Sequence, residues 1–388
     1  MRKLFAIVGL LAGMTAPAAL AREAEIAALK AVLAEGPVDQ ALFAPAFLEA
    51  VPPAELEPVL EGTKQTIGPV VAVTHSAGPT YIVETATHEL SADITLDGNG
   101  RIVGLFFRPP VASGGTVEEA LAEIEAVAPE TAYIVTRNGE PLHEAGADTP
   151  LAAGSAFKLG VLKALREAVD AGERRWTDVA ELTAADRSLP SGILQGWPEG
   201  APLTLHTLAT LMISISDNTA TDALIRIVGR EAVEAALGIA PALTTRELFV
   251  LKAEGDLLER YLAADVAAKR AVLEEVAGRP LPDGSKALTP HDEGAEWYLS
   301  PRALCTLMES VADLDLFAVN PGVANPAGWA SVAFKGGSEV GVLNLTTAVR
   351  AEDGTRYCVA ASWNDAAAID EAKATAAYAG LLARLARS

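Results

Sequence analysis

Cysteine is nearly absent from this chain: among 388 residues only Cys305 and Cys358 occur. One lies in an apolar helical pattern and the other in an apolar strand pattern. The sequence therefore admits two buried thiols or one bridge. No C-x-x-C or H-E-x-x-H is present, and the five histidines (His75, His88, His143, His206 and His291) are scattered. These spacings do not build a metal site, and neither metal nor cofactor is expected. Basic charge is scarce as well, with 30 Lys and Arg against 51 Asp and Glu and a formal charge of -21. Phosphate binding depends on Lys/Arg clusters; with none here, nucleic acid is excluded as a partner. Long apolar runs are missing too. Leu4 to Met14 is the longest, too short for a membrane span, so no integral membrane segment is expected.

What is present suits a two-domain globular protein. The chain is long enough for two cores, and half its residues are hydrophobic. Residues 1–21 read as a signal peptide: Arg2 and Lys3 precede the apolar run, and Ala19-Leu20-Ala21 offers a small-x-small cleavage site. The mature protein is expected to be periplasmic or secreted.

Residues 22–108 read as a small α+β domain. Ile26, Leu29, Val32 and Leu33 share one helical face, Leu42, Phe43, Phe47 and Leu48 suggest a second short helix, and a third follows Pro52-Pro53. The period then changes to two. Val70 to Thr74 and Tyr81 to Thr85 form one strand pair, and His88 to Leu96 returns through Asp97-Gly98-Asn99-Gly100 into Arg101 to Phe107. Residues 109–116, rich in Pro, Ser and Gly, read as a linker. From residue 117 to 388 a helix, a strand at Ala132 to Arg137 and a long helical middle precede three strands: Ala330 to Lys335, Val340 to Val349 and Arg356 to Trp363. A helix from Ala366 to Ala386 closes the chain. Strands at both ends imply one antiparallel sheet assembled from the two ends of the domain, with a helical subdomain between.

Three polar motifs follow one another in this second domain: Ser155-Ala156-Phe157-Lys158, Ser216-Asp217-Asn218 and Lys335-Gly336-Gly337. No other serine has a lysine three positions on. Each motif alone has an ordinary reading. Ser155 suits a helix N-cap, Ser216-Asp217 suits a capped helix junction, and the glycines after Lys335 suit a hairpin at which that strand ends. Together they supply a nucleophile with a neighbouring amine, a second hydroxyl beside an amide, and a lysine at a glycine-rich strand edge. That set activates a serine without histidine. Lys158 must be neutral to act as a base, and burial beside another cation such as Lys335 would lower its pKa.

These motifs resemble those of the serine β-lactamase and penicillin-binding protein superfamily, class A enzymes most closely, over about Val117 to Ser388. The resemblance implies a β-lactamase-like α/β domain with its site in the cleft between the sheet and the helical subdomain. It makes Ser155 the acylated nucleophile, Lys158 its base and Ser216 the proton relay. Asn218 becomes a substrate contact and Lys335 a carboxylate binder, with Gly337 on the substrate edge and the amides of Ser155 and Ser338 as the oxyanion hole. Substrates implied are a small-molecule β-lactam, an ester or a peptidoglycan-like compound. The sequence departs from the family pattern twice. Gly336 stands where the family carries Thr or Ser, and no Glu-x-x-Leu-Asn string lies between Asn218 and Arg302. Glu247 is the nearest candidate, by position, for the base that activates the deacylating water. The layout also resembles two-domain serine hydrolases whose first domain is cystatin-like or NTF2-like, a group for which esterase chemistry is as plausible as β-lactam cleavage.

Overall fold

The computed structural model describes residues 16–108, 110–287 and 295–387. The leader up to Thr15 and His291 lie outside these, and the cleavage position after Ala21 falls within the first helix. The chain divides into two compact units, Met1–Thr116 with Arg387–Ser388, and Val117–Ala386.

The first unit contains helices α1 (Ala16–Val32), α2 (Pro45–Ala50) and α3 (Pro53–Ile67). Strands β1 (Val70–Ala77), β2 (Thr80–Thr85), β3 (His88–Leu96) and β4 (Ile102–Phe107) follow as an antiparallel meander. Its core joins Leu29, Val32 and Leu60 from the helices to Tyr81, Val83, Leu90 and Ile94 from the strands. The β3–β4 turn forms because Asp97 Oδ1 accepts from the amides of Asn99 (2.8 Å) and Arg101 (2.9 Å), while Gly100 takes φ 76°. Part of the segment read as a linker is strand: β5 (Val111–Ala112) pairs with the start of β3.

The second unit opens with α4 (Val117–Glu125), β6 (Glu130–Arg137), β7 (Glu140–Ala145) and β8 (Leu151–Ala152). A 3-10 turn over Gly154–Phe157 leads into α5 (Lys158–Asp170). The ribbon β9 (Val179–Glu181) and β10 (Pro202–Thr204) precedes the helices α6 (Leu205–Ser214), α7 (Asn218–Val228), α8 (Arg230–Leu237), α9 (Thr245–Ala253), α10 (Gly255–Leu262) and α11 (Val266–Ala277). The chain finishes with β11 (Tyr298–Leu299), α12 (Pro301–Glu309), β12 (Ser331–Glu339), β13 (Val342–Arg350), β14 (Arg356–Asn364) and α13 (Glu371–Leu385).

The main sheet runs β12-β13-β14-β6-β7, antiparallel throughout. Strands from both ends of the unit thus meet at the β14–β6 pair. One face buries Ile124 of α4 and Tyr378 and Leu381 of α13 against Trp363 and Val359. The other face belongs to the larger core, with Phe157, Leu162, Met212, Leu224, Leu248 and Leu304 from the helical part. A disulfide joins Cys305 of α12 to Cys358 of β14, deciding the question the sequence left open.

One strand boundary differs from the sequence reading. Strand β12 does not end at Lys335 but continues through Gly336, Gly337 and Ser338 to Glu339. The glycines serve close approach rather than a turn. A Cβ on Gly337 would stand 2.2 Å from Ala153 O and 2.5 Å from Ser155 N.

Candidate active site

The segment carrying Ser155 is clamped from several sides. Asn364 Oδ1 accepts from Ala152 N (2.8 Å) and its Nδ2 donates to Ala152 O (3.0 Å). Ala153 N donates to Trp297 O at 3.0 Å, and the Trp297 ring stacks on Phe157 with centroids 3.7 Å apart. Edge strand β12 then lies against the 3-10 turn, and a Cβ on Gly154 would stand 3.2 Å from Ser338 N. The main chains that carry the Ser155 and Ser338 amides are therefore brought together.

Lys158, one helical turn on, is fully buried. Its Nζ donates to Ser216 O (2.7 Å), Ser216 Oγ (3.0 Å) and Asn218 Oδ1 (2.6 Å). Lys335 approaches from β12, donating to the same Ser216 Oγ at 3.2 Å and to Gly336 O. One hydroxyl thus bridges two amines. Burial, and then the charge of Lys335, push the Lys158 pKa well below its usual value. Burial alone lowers Lys335 to about 7.

The loop that presents Ser216 is held in an unusual shape. Ser216 has φ 57°, a left-handed conformation that non-glycine residues rarely adopt. Asp217 maintains it: Oδ1 caps α7 through Ala220 N (2.9 Å), and Oδ2 accepts from Ile193 N (2.7 Å) and Leu194 N (2.9 Å). Asn218 Nδ2 donates to Leu189 O at 2.9 Å, and Ser191 Oγ donates to Ser216 O at 2.6 Å. The 189–194 loop is thus the backing of the second motif. Sequence reasoning missed it; the Pro190-Ser191-Gly192 run was its only signal. Gly192 is required there, since a Cβ would meet Asp217 Cγ at 2.3 Å.

These groups surround a cavity of about 500 Å³, lined in part by Ser155, Ser216, Asn218, Gly336, Gly337 and Ser338. Lys158 and Lys335, both buried, reach its lining through Ser216. Trp297, Thr245 and Leu248 also line it and were not singled out from the sequence. Thr245 is set by the buried Asp222, which accepts from Thr245 N (2.8 Å), Thr245 Oγ1 (2.9 Å) and Arg246 N (2.9 Å). Burial raises Asp222 to about 7 even though these donors oppose it.

Glu247 is not brought to this cavity. Its carboxylate accepts from Thr244 N (2.8 Å), closing a capping box on α9, and pairs with Arg230 at 2.9 and 2.6 Å. Both oxygens are occupied by helix capping and an ion pair, so the position that suggested a water-activating base holds a structural carboxylate.

The site thus combines a serine at a helix start, two buried lysines sharing a second hydroxyl, and adjoining main chain at a sheet edge. Residues 116–321 match the model of the beta-lactamase enzyme family. The chain belongs to that family, within the serine β-lactamase and penicillin-binding protein superfamily. Similar solved structures include a β-lactamase from Sphaerobacter thermophilus, at 23% identity, covering 69% of this chain and 94% of that one, TM-score 0.49. PBP-A is 20% identical, with 70% and 96% covered and a TM-score of 0.47. An ancestral (GNCA) class A β-lactamase is 17% identical, with 70% and 99% covered and a TM-score of 0.50. At 17% identity the likeness to the ancestral enzyme concerns the fold alone. No curated protein matches the chain.

Proposed function

We propose that the protein is an exported serine hydrolase that forms an acyl-enzyme at Ser155 on a β-lactam or a related amide or ester. The observation that carries this reading is the Ser216 hydroxyl bridging Lys158 and Lys335 beside the Ser155 turn. Neutral Lys158 takes the Ser155 Oγ proton as Oγ attacks the carbonyl carbon. The resulting oxyanion is met by the amides of Ser155 and Ser338. The scissile C–N or C–O bond breaks, and Ser216 Oγ passes its proton to the leaving atom while Lys158 returns one to Ser216. Charged Lys335 draws a substrate carboxylate toward the strand edge, and Asn218 holds Lys158 while contacting the substrate. Edge strand β12 offers its free side to an extended substrate, while Gly337 keeps that strand close to the Ser155 turn.

Deacylation is the weaker half. Glu247, the candidate base, is committed to Arg230 and Thr244, which favours a long-lived acyl-enzyme of the penicillin-binding or esterase type over fast β-lactam turnover. Incubation with a fluorescent penicillin and a chromogenic cephalosporin, beside Ser155→Ala, separates the cases. Stable labelling lost in the variant is the expected result; rapid cephalosporin hydrolysis would instead identify an efficient β-lactamase. Activity undiminished in Ser155→Ala would remove the nucleophile assignment. A binding protein that has lost its chemistry would neither label nor hydrolyse.

The first unit, with its helices and antiparallel meander, we assign to the cystatin-like or NTF2-like class.

A further inference from the structure

Strand β12 carries opposite charges on either side of the nucleophile. Side chains alternate along a strand, so Lys335, Gly337 and Glu339 share one face. Gly337 is the residue against Ser155 N. Lys335 and Glu339 therefore flank Ser155, separated along the strand by about 13 Å at the usual rise per residue.

Glu339 is held by a buried cluster. Lys252 of α9, its side chain entirely buried, pairs with Glu296 at 2.6 Å and with Glu339. Burial opposes the charge of Lys252, but the two carboxylates outweigh it and raise its pKa. Glu296 is 5% exposed, and its Oε2 has no hydrogen-bond partner among the described residues. Burying three ionisable groups is costly, and hydrophobic residues of similar size would often serve stability as well or better. The cluster therefore calls for a reason other than stability. The Glu339 side chain keeps 18% of its surface exposed and lines the cavity. Among the described residues the only charged side chains lining that cavity are Glu339 and Glu371, both carboxylates. Glu371 opens α13, just beyond the end of β14 at Asn364, and Asn364 pairs with Val342 at the β12–β13 turn. Both acids thus stand toward the Glu339 end of the strand.

We propose that Glu339, positioned by Lys252 and Glu296, forms an acidic subsite that selects substrates carrying a cationic group on the side of the scissile bond away from Lys335. The inference rests on the placement of Ser155 and Lys335 in the proposed function. A suitable substrate is zwitterionic, with a carboxylate toward Lys335 and an ammonium reaching Glu339. Water competes poorly for such a pair when one partner is prearranged by a buried network.

The test compares benzylpenicillin with aminobenzylpenicillin, which differ by one ammonium group, as second-order acylation rates read by intact-protein mass spectrometry. The wild-type ratio is expected to favour the amine by about tenfold. Glu339→Gln should bring the ratio close to one, and Glu339→Asp should restore part of it. Using the ratio cancels any general damage to the site. Equal wild-type rates, or a ratio unaltered in Glu339→Gln, would overturn the subsite. If neither penicillin acylates the protein, the proposed chemistry fails on its own. The subsite is then read without chemistry by calorimetric titration of Ser155→Ala with Nα-acetyl-L-lysyl-D-alanyl-D-alanine, which keeps one ammonium, and its Nα,Nε-diacetyl derivative, which keeps none. Tighter binding of the charged peptide upholds it; equal or absent binding overturns it.

Discussion

At Lys158 and Lys335 the same hydroxyl is offered to two amines, and the consequences for pH dependence have opposite signs. In the proposed reaction Lys158 acts only when neutral, so acylation should rise with pH until its depressed pKa is passed. Lys335 acts only when charged, and its charge is lost as pH rises through about 7 in the free protein. A substrate with a carboxylate should therefore show a bell-shaped kcat/KM profile whose alkaline limb falls through about pH 7. An ester without a carboxylate should lack the alkaline fall. A stopped-flow series over pH with both substrates checks this, and identical profiles would remove Lys335 from carboxylate binding. The two glycines that follow Lys335 are predicted to differ. A Cβ on Gly337 meets backbone at 2.2 Å and 2.5 Å, whereas on Gly336 its nearest neighbours are Phe334 Cζ at 3.1 Å and Asn344 O at 3.2 Å. Gly337→Ala should destabilise by about 3 kcal/mol, as overpacking against main chain does, and Gly336→Ala by less. Urea unfolding of both variants measures it.

Helix α9 shows how one element divides structural from functional duty. Thr245 and Leu248 line the cavity, Lys252 anchors Glu339, and Glu247 caps the helix and holds Arg230. Glu247→Ala should lower stability by about 2 kcal/mol, from the lost cap and the stranded, partly buried Arg230. It should leave the lifetime of the acyl-enzyme unchanged; a longer lifetime by mass spectrometry would return Glu247 to a catalytic role. Much at this scale was legible in the sequence. The period-two run at His88 to Leu96, the Asp97 turn and the apolar face of α1 all follow from local pattern. The structure brings Lys158, Ser216, Asn218 and Lys335 together; short spacing could pair only Ser155 with Lys158 and Ser216 with Asn218, and the convergence of the three motifs rested on the family resemblance. Strand β12 was read too short because a glycine pair signals a turn locally, while here it answers to the main chain at Ala153 and Ser155. The Lys252, Glu296 and Glu339 cluster had no local signal, since its members lie 44 and 87 residues from Lys252.

Across the second unit, Cys305 and Cys358 tie helix to sheet over a sequence separation of 53. A loop of that length constrains the unfolded chain by about 4 kcal/mol in the chain-entropy account. Reduction should lower the melting temperature of this unit by roughly 8 °C, at about 2 °C per kcal/mol for a unit of this size. Calorimetry with and without a reductant, at fixed pH, measures the shift; a change below about 2 °C would mean that native packing carries this contact unaided. The pairing could not be read from sequence because bridging depends on the approach of two Cα atoms, here 5.8 Å apart.

The sheet has one more consequence, for the order in which the molecule comes into being. Ser155, Lys158 and Ser216 are all synthesised before any residue of β12, and β6 waits for β14 before it gains its partner on that side. Contacts so distant in sequence form late and slowly. A nascent or truncated chain ending before Ser331 would carry the nucleophile but neither Lys335 nor the amide of Ser338. On the proposed chemistry, reactivity arrives with the last strands, and covalent labelling of Ser155 would report completion of the fold.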